Sequence, residues 1–308
     1  MRKHLAVLAA VAVAVLVTGC GGSSGGGGPG GGALDVVATT TQVQDFTRVV
    51  GGDKVKVTGI LKPNVDAHDY EPSPADVDAI ARADVLVTNG VGLEKWLDDT
   101  VKSAGFHGTT VDTSKGVRII QGNGSSEERG GDPHIWQSPP NAKVMVADIE
   151  RALADADPAD AAYFQANLRA YTAKLDALDA DIARQTGSLA NRKLVTNHDA
   201  FAYYVQRYHL DFVGSIIPSF DTSAELSAKD VADLVAKIRA TGVEAIFSET
   251  SLPPRTAETI AREAHVKVVE GEGALYGDAL GPPGSDGATY LQMMEHNTRT
   301  IVSNLTST

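Results

Sequence analysis

Hydrophobic and polar positions along the chain form two kinds of segment after residue 33. Short runs rich in Val, Ile and Thr alternate with longer stretches in which apolar residues recur every three or four positions. The first kind predicts β-strands and the second predicts helices. Strands are predicted at residues 34–39, 55–60, 84–88 and 117–120, then at 192–196, 212–217, 243–248 and 266–269. Helices are predicted between them, for example at 74–82 and 228–240. This alternation predicts an α/β protein with two lobes, each a mostly parallel four-stranded sheet flanked by helices.

A long amphipathic helix is predicted between the two groups of strands. Its apolar residues follow one another at spacings of four and three: Phe164, Leu168, Tyr171, Leu175, Leu178 and Ile182. Pro158 suits the first turn of this helix and Gly187 its end. Such a helix spans roughly 43 Å, so we favour one rigid connector between the lobes over a helix lying on one of them. The predicted boundaries are 33–157 for the N-terminal lobe, 158–187 for the connecting helix and 188–308 for the C-terminal lobe.

The first 32 residues have a different character. Two basic residues, Arg2 and Lys3, precede 13 apolar residues at 5–17, a length typical of a signal peptide and short of the ~20 that span a bilayer. Cys20 follows, and the stretch Val17 to Cys20 resembles the bacterial lipobox, in which the cysteine is lipidated. We expect a lipoprotein signal peptide at 1–19 and a Gly/Ser-rich tether at 20–32. The alternative is an ordinary secretory signal with an incidental cysteine.

Composition narrows the classes of function. The chain has 27 Lys and Arg against 39 Asp and Glu, a net charge of −12, which argues against nucleic acid as a partner. A single cysteine excludes an intramolecular disulfide framework and cysteine-based zinc ribbons. No Walker A, HExxH or helix-opening GxGxxG motif is present in the sequence.

Histidine is the most informative residue type. Three of the eight histidines lie in polar segments beside predicted strands, His68, His134 and His198, and each has an acidic residue close in sequence. Loops at the carboxyl ends of parallel strands bind ligands, and several imidazoles with nearby carboxylates indicate a metal such as Zn²⁺. Their separations of 66 and 64 residues are not those of a local metal motif, so only the fold could bring them together. His107 and His265 have no comparable setting, and we expect neither to bind metal.

Four segments carry a resemblance to a known family. They are Asp66–Pro72 (DAHDYEP), Asp132–Trp136 (DPHIW), Asn197–Tyr203 (NHDAFAY), and Tyr276–Gly281 with Tyr290–Asn297. In this order they resemble the zinc/manganese-type metal-binding lipoproteins of bacterial ABC importers. The resemblance covers about residues 34 to 305.

This resemblance implies a fold and a site. The fold would be two α/β lobes joined by one long helix, with metal in the cleft between them. The ligands would be His68 and His134 from the first lobe and His198 and Asp278 from the second. Histidine rather than glutamate at 198 indicates Zn²⁺ as the transported ion, with Mn²⁺ or iron as the alternative.

The resemblance also implies a partner and a location. The partner would be a membrane permease, and the protein would be a monomer, exported and anchored through Cys20 on the outer face of the cytoplasmic membrane. Two features depart from the family: residues 121–131 are acidic and Gly-rich with no histidine, and His209 stands where a helix-ending glycine is common. We therefore expect no accessory histidine loop, and we expect His209 to end a helix rather than bind metal.

Two other classes of function compete with the receptor. A zinc hydrolase needs an open coordination position for water, whereas three histidines and Asp278 would fill a shell of four, so we expect no enzyme activity. The other alternative is a lipoprotein adhesin with a merely structural metal. Its metal would support folding, whereas a receptor must fold without metal and release the metal that it binds.

Overall fold

The computed structural model describes residues 32–122 and 130–306 and contains two parallel four-stranded sheets. The strands are β1 Leu34–Ala38, β2 Val55–Gly59, β3 Val85–Thr88, β4 Thr109–Asp112, β5 Lys193–His198, β6 Asp211–Ile217, β7 Ala245–Phe247 and β8 Lys267–Val269. The helices are α1 Thr41–Gly51, α2 Pro74–Arg82, α3 Leu97–Ala104, α4 Pro139–Ala156, α5 Ala161–Gly187, α6 Ala202–Tyr208, α7 Ala228–Thr241, α8 Arg255–Ala264 and α9 Tyr290–Leu305. The predicted fold class, two parallel sheets flanked by helices, is confirmed.

The two sheets have the same topology. Their strand orders are β2-β1-β3-β4 and β6-β5-β7-β8, with every pairing parallel. The first register pairs Leu34 with Val55 and the second pairs Lys193 with Asp211. Because all strands in a sheet point the same way, their carboxyl ends lie along one edge, where ligands bind in folds of this kind. We use N-terminal half for residues 33–157 and C-terminal half for residues 188–306.

One predicted strand was wrong. The fourth strand of the first sheet is β4, which pairs with β3 from Val85↔Thr109 to Thr88↔Asp112, and residues 117–120 form no strand. As an edge strand β4 buries only Val111, so it lacks the apolar run that marks inner strands. Residues 117–120, three of them apolar, form a loop in which Ile120 N–H donates to the Tyr203 hydroxyl at 3.1 Å.

Helix α5 lies in the chain between the two sheets. It begins at Ala161 rather than at 158, because a turn closed by the Asp160 N–H and the Asp157 carbonyl precedes it. The predicted apolar stripe is buried at five of its six positions, the exception being half-buried Leu168. Helix α5 packs against α1 and α4 of the N-terminal half and against α6 and α9 of the C-terminal half. Its role as a rigid connector, like the domain boundaries, stays a prediction.

Two apolar clusters hold the fold together. The larger runs through the N-terminal half, α5 and the facing side of the second sheet, and it includes Phe46, Trp136, Tyr204 and Tyr290. The smaller lies between β5, β6 and β7 and helices α7 and α8. The larger cluster joins the two halves through packed aromatic rings, such as Phe46 and Tyr290 with centroids 4.8 Å apart.

The predictions for the N-terminus concern residues outside this description. The signal peptide, Cys20 and all but the last residue of the tether lie outside the described residues, as does most of the acidic segment 121–131. Among the helices in the described part of the chain, none combines the length and apolar character that crossing a membrane requires.

Candidate metal centre

Four side chains from distant parts of the chain meet at one point. His68 lies in the loop after β2, His134 in the loop before α4, His198 ends β5, and Asp278 lies between β8 and α9. Their ligand atoms lie within 4.8 Å of one another. His134, His198 and Asp278 are fully buried, and the His68 side chain is 3% exposed. The structure therefore brings together all four side chains that the sequence nominated as metal ligands.

The spacing of the ligand atoms matches a small tetrahedral ion. The Nε2 atom of His134 is 3.2 Å from that of His68 and 3.2 Å from that of His198. Asp278 Oδ1 is 3.3 Å from the Nε2 atoms of His134 and His198 and 3.8 Å from that of His68. A tetrahedron with metal–ligand bonds of about 2.0–2.1 Å has edges of about 3.3 Å. Five of the six distances are therefore close to those edges, and the remaining pair, His68 with His198, lies within 4.8 Å.

Carboxylates behind two of the rings fix their orientation. Asp132 Oδ1 lies 2.7 Å from His134 Nδ1, and Glu249 Oε1 lies 3.0 Å from His198 Nδ1. Each carboxylate oxygen also accepts the backbone N–H of its histidine, at 2.9 Å and 3.1 Å respectively. With Nδ1 donating to a carboxylate, a neutral ring presents its Nε2 lone pair to the centre, as metal-binding histidines require.

The acidic partners differ from those that sequence proximity indicated. Asp132 lies two residues before its histidine, but Glu249 lies 51 residues after His198 and was not found in the sequence. It follows β7, so the rule that ligand-binding residues lie at strand ends could have found it. Beside His68, the Asp66 carboxylate accepts the backbone N–H of His68 at 2.9 Å rather than a ring proton.

The backbone around Asp278 is bonded to the N-terminal half. Trp136 Nε1 and Gln137 Nε2 donate to the Gly277 carbonyl at 3.1 and 2.9 Å. Gln42 Nε2 donates to the Asp278 carbonyl at 3.0 Å. Asp278 therefore belongs to the C-terminal half in sequence, but its backbone is held by the half that supplies His68 and His134.

The charges in the site are strongly coupled. Burial lowers the pKa of His68 to about 3, against the attraction of Asp278. Burial also opposes protonation of His134, yet Asp132 and Asp278 outweigh it and raise that pKa to about 9. Asp278 and Glu249 likewise raise the pKa of His198, and the histidines hold the pKa of Asp278 well below its usual range despite burial. The carboxylates therefore favour positive charge on His134 and His198, whereas burial keeps His68 neutral.

The remaining histidines of the described chain lie away from this centre. His107 and His265 are exposed. His209 ends α6 with φ 56° and its N–H bonded to the Val205 carbonyl, as expected for a helix cap. His296 is buried with Nε2 3.0 Å from the Ala274 carbonyl.

Comparison with known proteins identifies the family of this chain. Residues 36–304 match the family described as Zinc-uptake complex component A periplasmic (ZnuA). The chain belongs to this family. It is 30% identical to the manganese ABC transporter substrate-binding lipoprotein PsaA of Streptococcus anginosus, over 88% of this chain and 89% of that protein. It is 29% identical to the iron ABC transporter substrate-binding lipoprotein MtsA of Streptococcus pyogenes serotype M1, over 86% of each.

A solved structure shares the fold. The periplasmic zinc-binding protein TroA from Treponema pallidum superposes with a TM-score of 0.81 at 29% identity, covering 89% of this chain and 99% of that one. The ZnuA-family chain described here is therefore a metal-binding receptor of an ABC importer and not an enzyme. The relatives are named for manganese, iron and zinc, so membership of the family does not identify which metal this chain binds.

Proposed function

We propose that this ZnuA-family protein captures Zn²⁺ with His68, His134, His198 and Asp278 and delivers it to a membrane permease. The observation that carries the proposal is a buried set of three imidazole Nε2 atoms and one carboxylate oxygen, with five of the six pairwise distances at 3.2–3.8 Å and all within 4.8 Å. Three nitrogen ligands and one oxygen in a four-coordinate arrangement suit Zn²⁺, whereas Mn²⁺ favours oxygen ligands and higher coordination.

Burial of the site supports capture and delivery. Three of the four ligand side chains are fully buried, so a bound ion is released only when the surrounding structure opens. The proposed location is the outer face of the cytoplasmic membrane, with Cys20 carrying the lipid anchor. Relatives named as lipoproteins support that anchor.

A competition titration tests the metal. The chain from Ala33, where the compact unit begins, is titrated with Zn²⁺ and Mn²⁺ and compared with His198→Glu. We expect one tight Zn²⁺ site in the unaltered chain and a shift of the variant toward Mn²⁺, because a carboxylate replaces an imidazole. Preference for Mn²⁺ in the unaltered chain would still support a metal receptor but would contradict Zn²⁺ as its metal. Absence of any tight site would overturn the ligand set.

A further inference from the structure

Two adjacent residues of the C-terminal half reach across to the N-terminal half. Asp221 and Thr222 lie in the loop after β6. The Asp221 carboxylate forms an ion pair with Lys95, and the Thr222 hydroxyl donates to Asp66 Oδ2 at 2.7 Å. These contacts join residues 126 and 156 positions apart in the chain.

One end of this bridge is attached to a metal ligand of the N-terminal half. Asp66 accepts the His68 backbone N–H with Oδ1, while its Oδ2 accepts from Thr222. One carboxylate thus holds both the loop that carries His68 and the opposite half of the protein. His68 is also the least buried of the four ligands, although only 3% of its side chain is exposed.

The other end is attached to the strand that carries His198. The Ser219 carbonyl accepts the backbone N–H of Asp199, at 3.1 Å, and Ile217 of β6 pairs with His198 of β5. Phe220 places its ring 6.5 Å from that of His134. The segment from 217 to 222 therefore runs from the His198 strand, past the metal centre, to the His68 loop.

The four ligands come from both halves, and the segment that carries Asp278 is bonded to both: Tyr276 to Asn297, and the Asp278 carbonyl to Gln42. The N-terminal half supplies His68 and His134 and also holds the backbone around Asp278. His198 is the ligand carried by the second sheet, so separating the halves moves His198 away from His68 and His134. Contacts that hold the halves together beside His68 oppose that separation.

We propose that Asp221 and Thr222 form a latch between the halves that sets how long the metal is held, while the four ligands set its geometry. The latch residues are positioning residues that act through the Asp66 and Lys95 contacts. Lys95 is 52% exposed and Asp221 is 4% exposed, so the ion pair can open without unpacking the core. This inference rests on the proposed metal site.

Metal release kinetics test the latch. The full chain, loaded with one Zn²⁺, is mixed with excess chelator in a stopped-flow instrument, and release is compared for Thr222→Val, Lys95→Met and the double variant. We expect the double variant to release Zn²⁺ about tenfold faster, the combined effect of a lost hydrogen bond and a lost ion pair. If electrostatic attraction alone mattered, Lys95→Met would instead slow Zn²⁺ release, because an unpaired Asp221 beside the site would attract the cation.

A matched control separates the latch from general loss of ion pairs. Lys143→Met breaks the pair with Asp176, which joins α4 to α5 at 2.6 Å, with Lys143 37% and Asp176 59% exposed, and should leave release unchanged. The absorption spectrum of bound Co²⁺ should be the same in all variants, because no ligand is altered. Release within twofold of the unaltered chain would overturn the latch, as would a changed Co²⁺ spectrum. No stoichiometric Zn²⁺ binding by the unaltered chain would instead overturn the proposed site itself.

Discussion

Glu249 holds His198 through both its ring and its backbone, accepting Nδ1–H at 3.0 Å and the backbone N–H at 3.1 Å with the same oxygen. Both side chains are fully buried. A single carboxylate therefore fixes the tautomer, the ring orientation and the main-chain position of one ligand. Partners of this kind tune metal affinity without touching the metal.

Replacing Glu249 by Gln should weaken Zn²⁺ binding by about 10–100-fold. The amide oxygen can still accept one hydrogen bond, but the negative charge that increases the basicity of His198 is lost. A competition titration against a chelator of known affinity measures the effect. Glu272→Gln, a change at an exposed position, is the matched control, and equal affinities for the two variants would contradict the role given to Glu249.

Gly277 should not tolerate a side chain. A Cβ at this position would overlap the Glu249 carboxylate, with Oε2 as the nearest atom. Gly277→Ala should therefore displace Glu249 or the neighbouring Asp278, lowering Zn²⁺ affinity and reducing the free energy of unfolding by about 1–3 kcal/mol. Denaturant unfolding and Zn²⁺ titration measure the two effects. Gly187→Ala, where the added atom meets open space at the end of α5, should lower neither quantity, and an unaffected Gly277→Ala would contradict the packing described.

The sequence predicted the fold class because its signal is local. Alternating apolar runs and helical periodicity specify parallel α/β units, and the buried stripe of α5 from Phe164 to Ile182 followed the predicted spacing. The edge strand β4 was not predicted, because an edge position needs few apolar residues and only Val111 is buried there. The loop at 117–120 was predicted as a strand because of its apolar side chains. These side chains pack against the larger core cluster without forming a strand.

The ligands of the candidate site could be predicted from the sequence, but the residues that hold those ligands in place could not. Positions after predicted strands singled out His68 and His198, the Asp132-Pro133 setting singled out His134, and the resemblance added Asp278. Glu249 and the bonds around Asp278 depend on contacts between residues 51 to 239 positions apart, which no local pattern encodes. The division of ligands, two from each lobe, stays a prediction, and the segment that carries Asp278 is hydrogen-bonded to both halves.

His134→Ala should reduce Zn²⁺ affinity by more than about 100-fold, beyond the effect typical of residues that only support a ligand. The change removes one of four ligand atoms and leaves the buried Asp132 carboxylate without its ring partner. His107→Ala, at an exposed position, is the control and should bind as the unaltered chain does. Thermal unfolding without metal would show that both variants fold. Unchanged affinity of a folded His134→Ala would remove His134 from the ligand set.

Zn²⁺ binding should release protons at neutral pH. Although burial opposes it, Asp132 and Asp278 raise the pKa of His134 to about 9, so without metal its ring is protonated at pH 7, whereas coordination needs neutral imidazole. The raised pKa stabilises the metal-free fold fully below the ordinary value near 6.5, and this contribution is lost as pH rises through about 9. Zn²⁺ affinity should therefore increase from pH 6 to about 9, a higher window than an unperturbed histidine would give.

Calorimetry measures this proton release directly. Titrations at pH 7 in two buffers of different ionisation enthalpy give the number of protons released, and we expect about one or more. Asp132→Asn removes the carboxylate that lies 2.7 Å from His134 Nδ1, so this variant should release fewer protons at the same pH. Because the substitution leaves the four ligands in place, a lower proton count with one Zn²⁺ still bound would assign the released proton to His134. Zero release by the unaltered chain, with affinity constant between pH 6 and 8, would show that the site is already neutral before the metal binds.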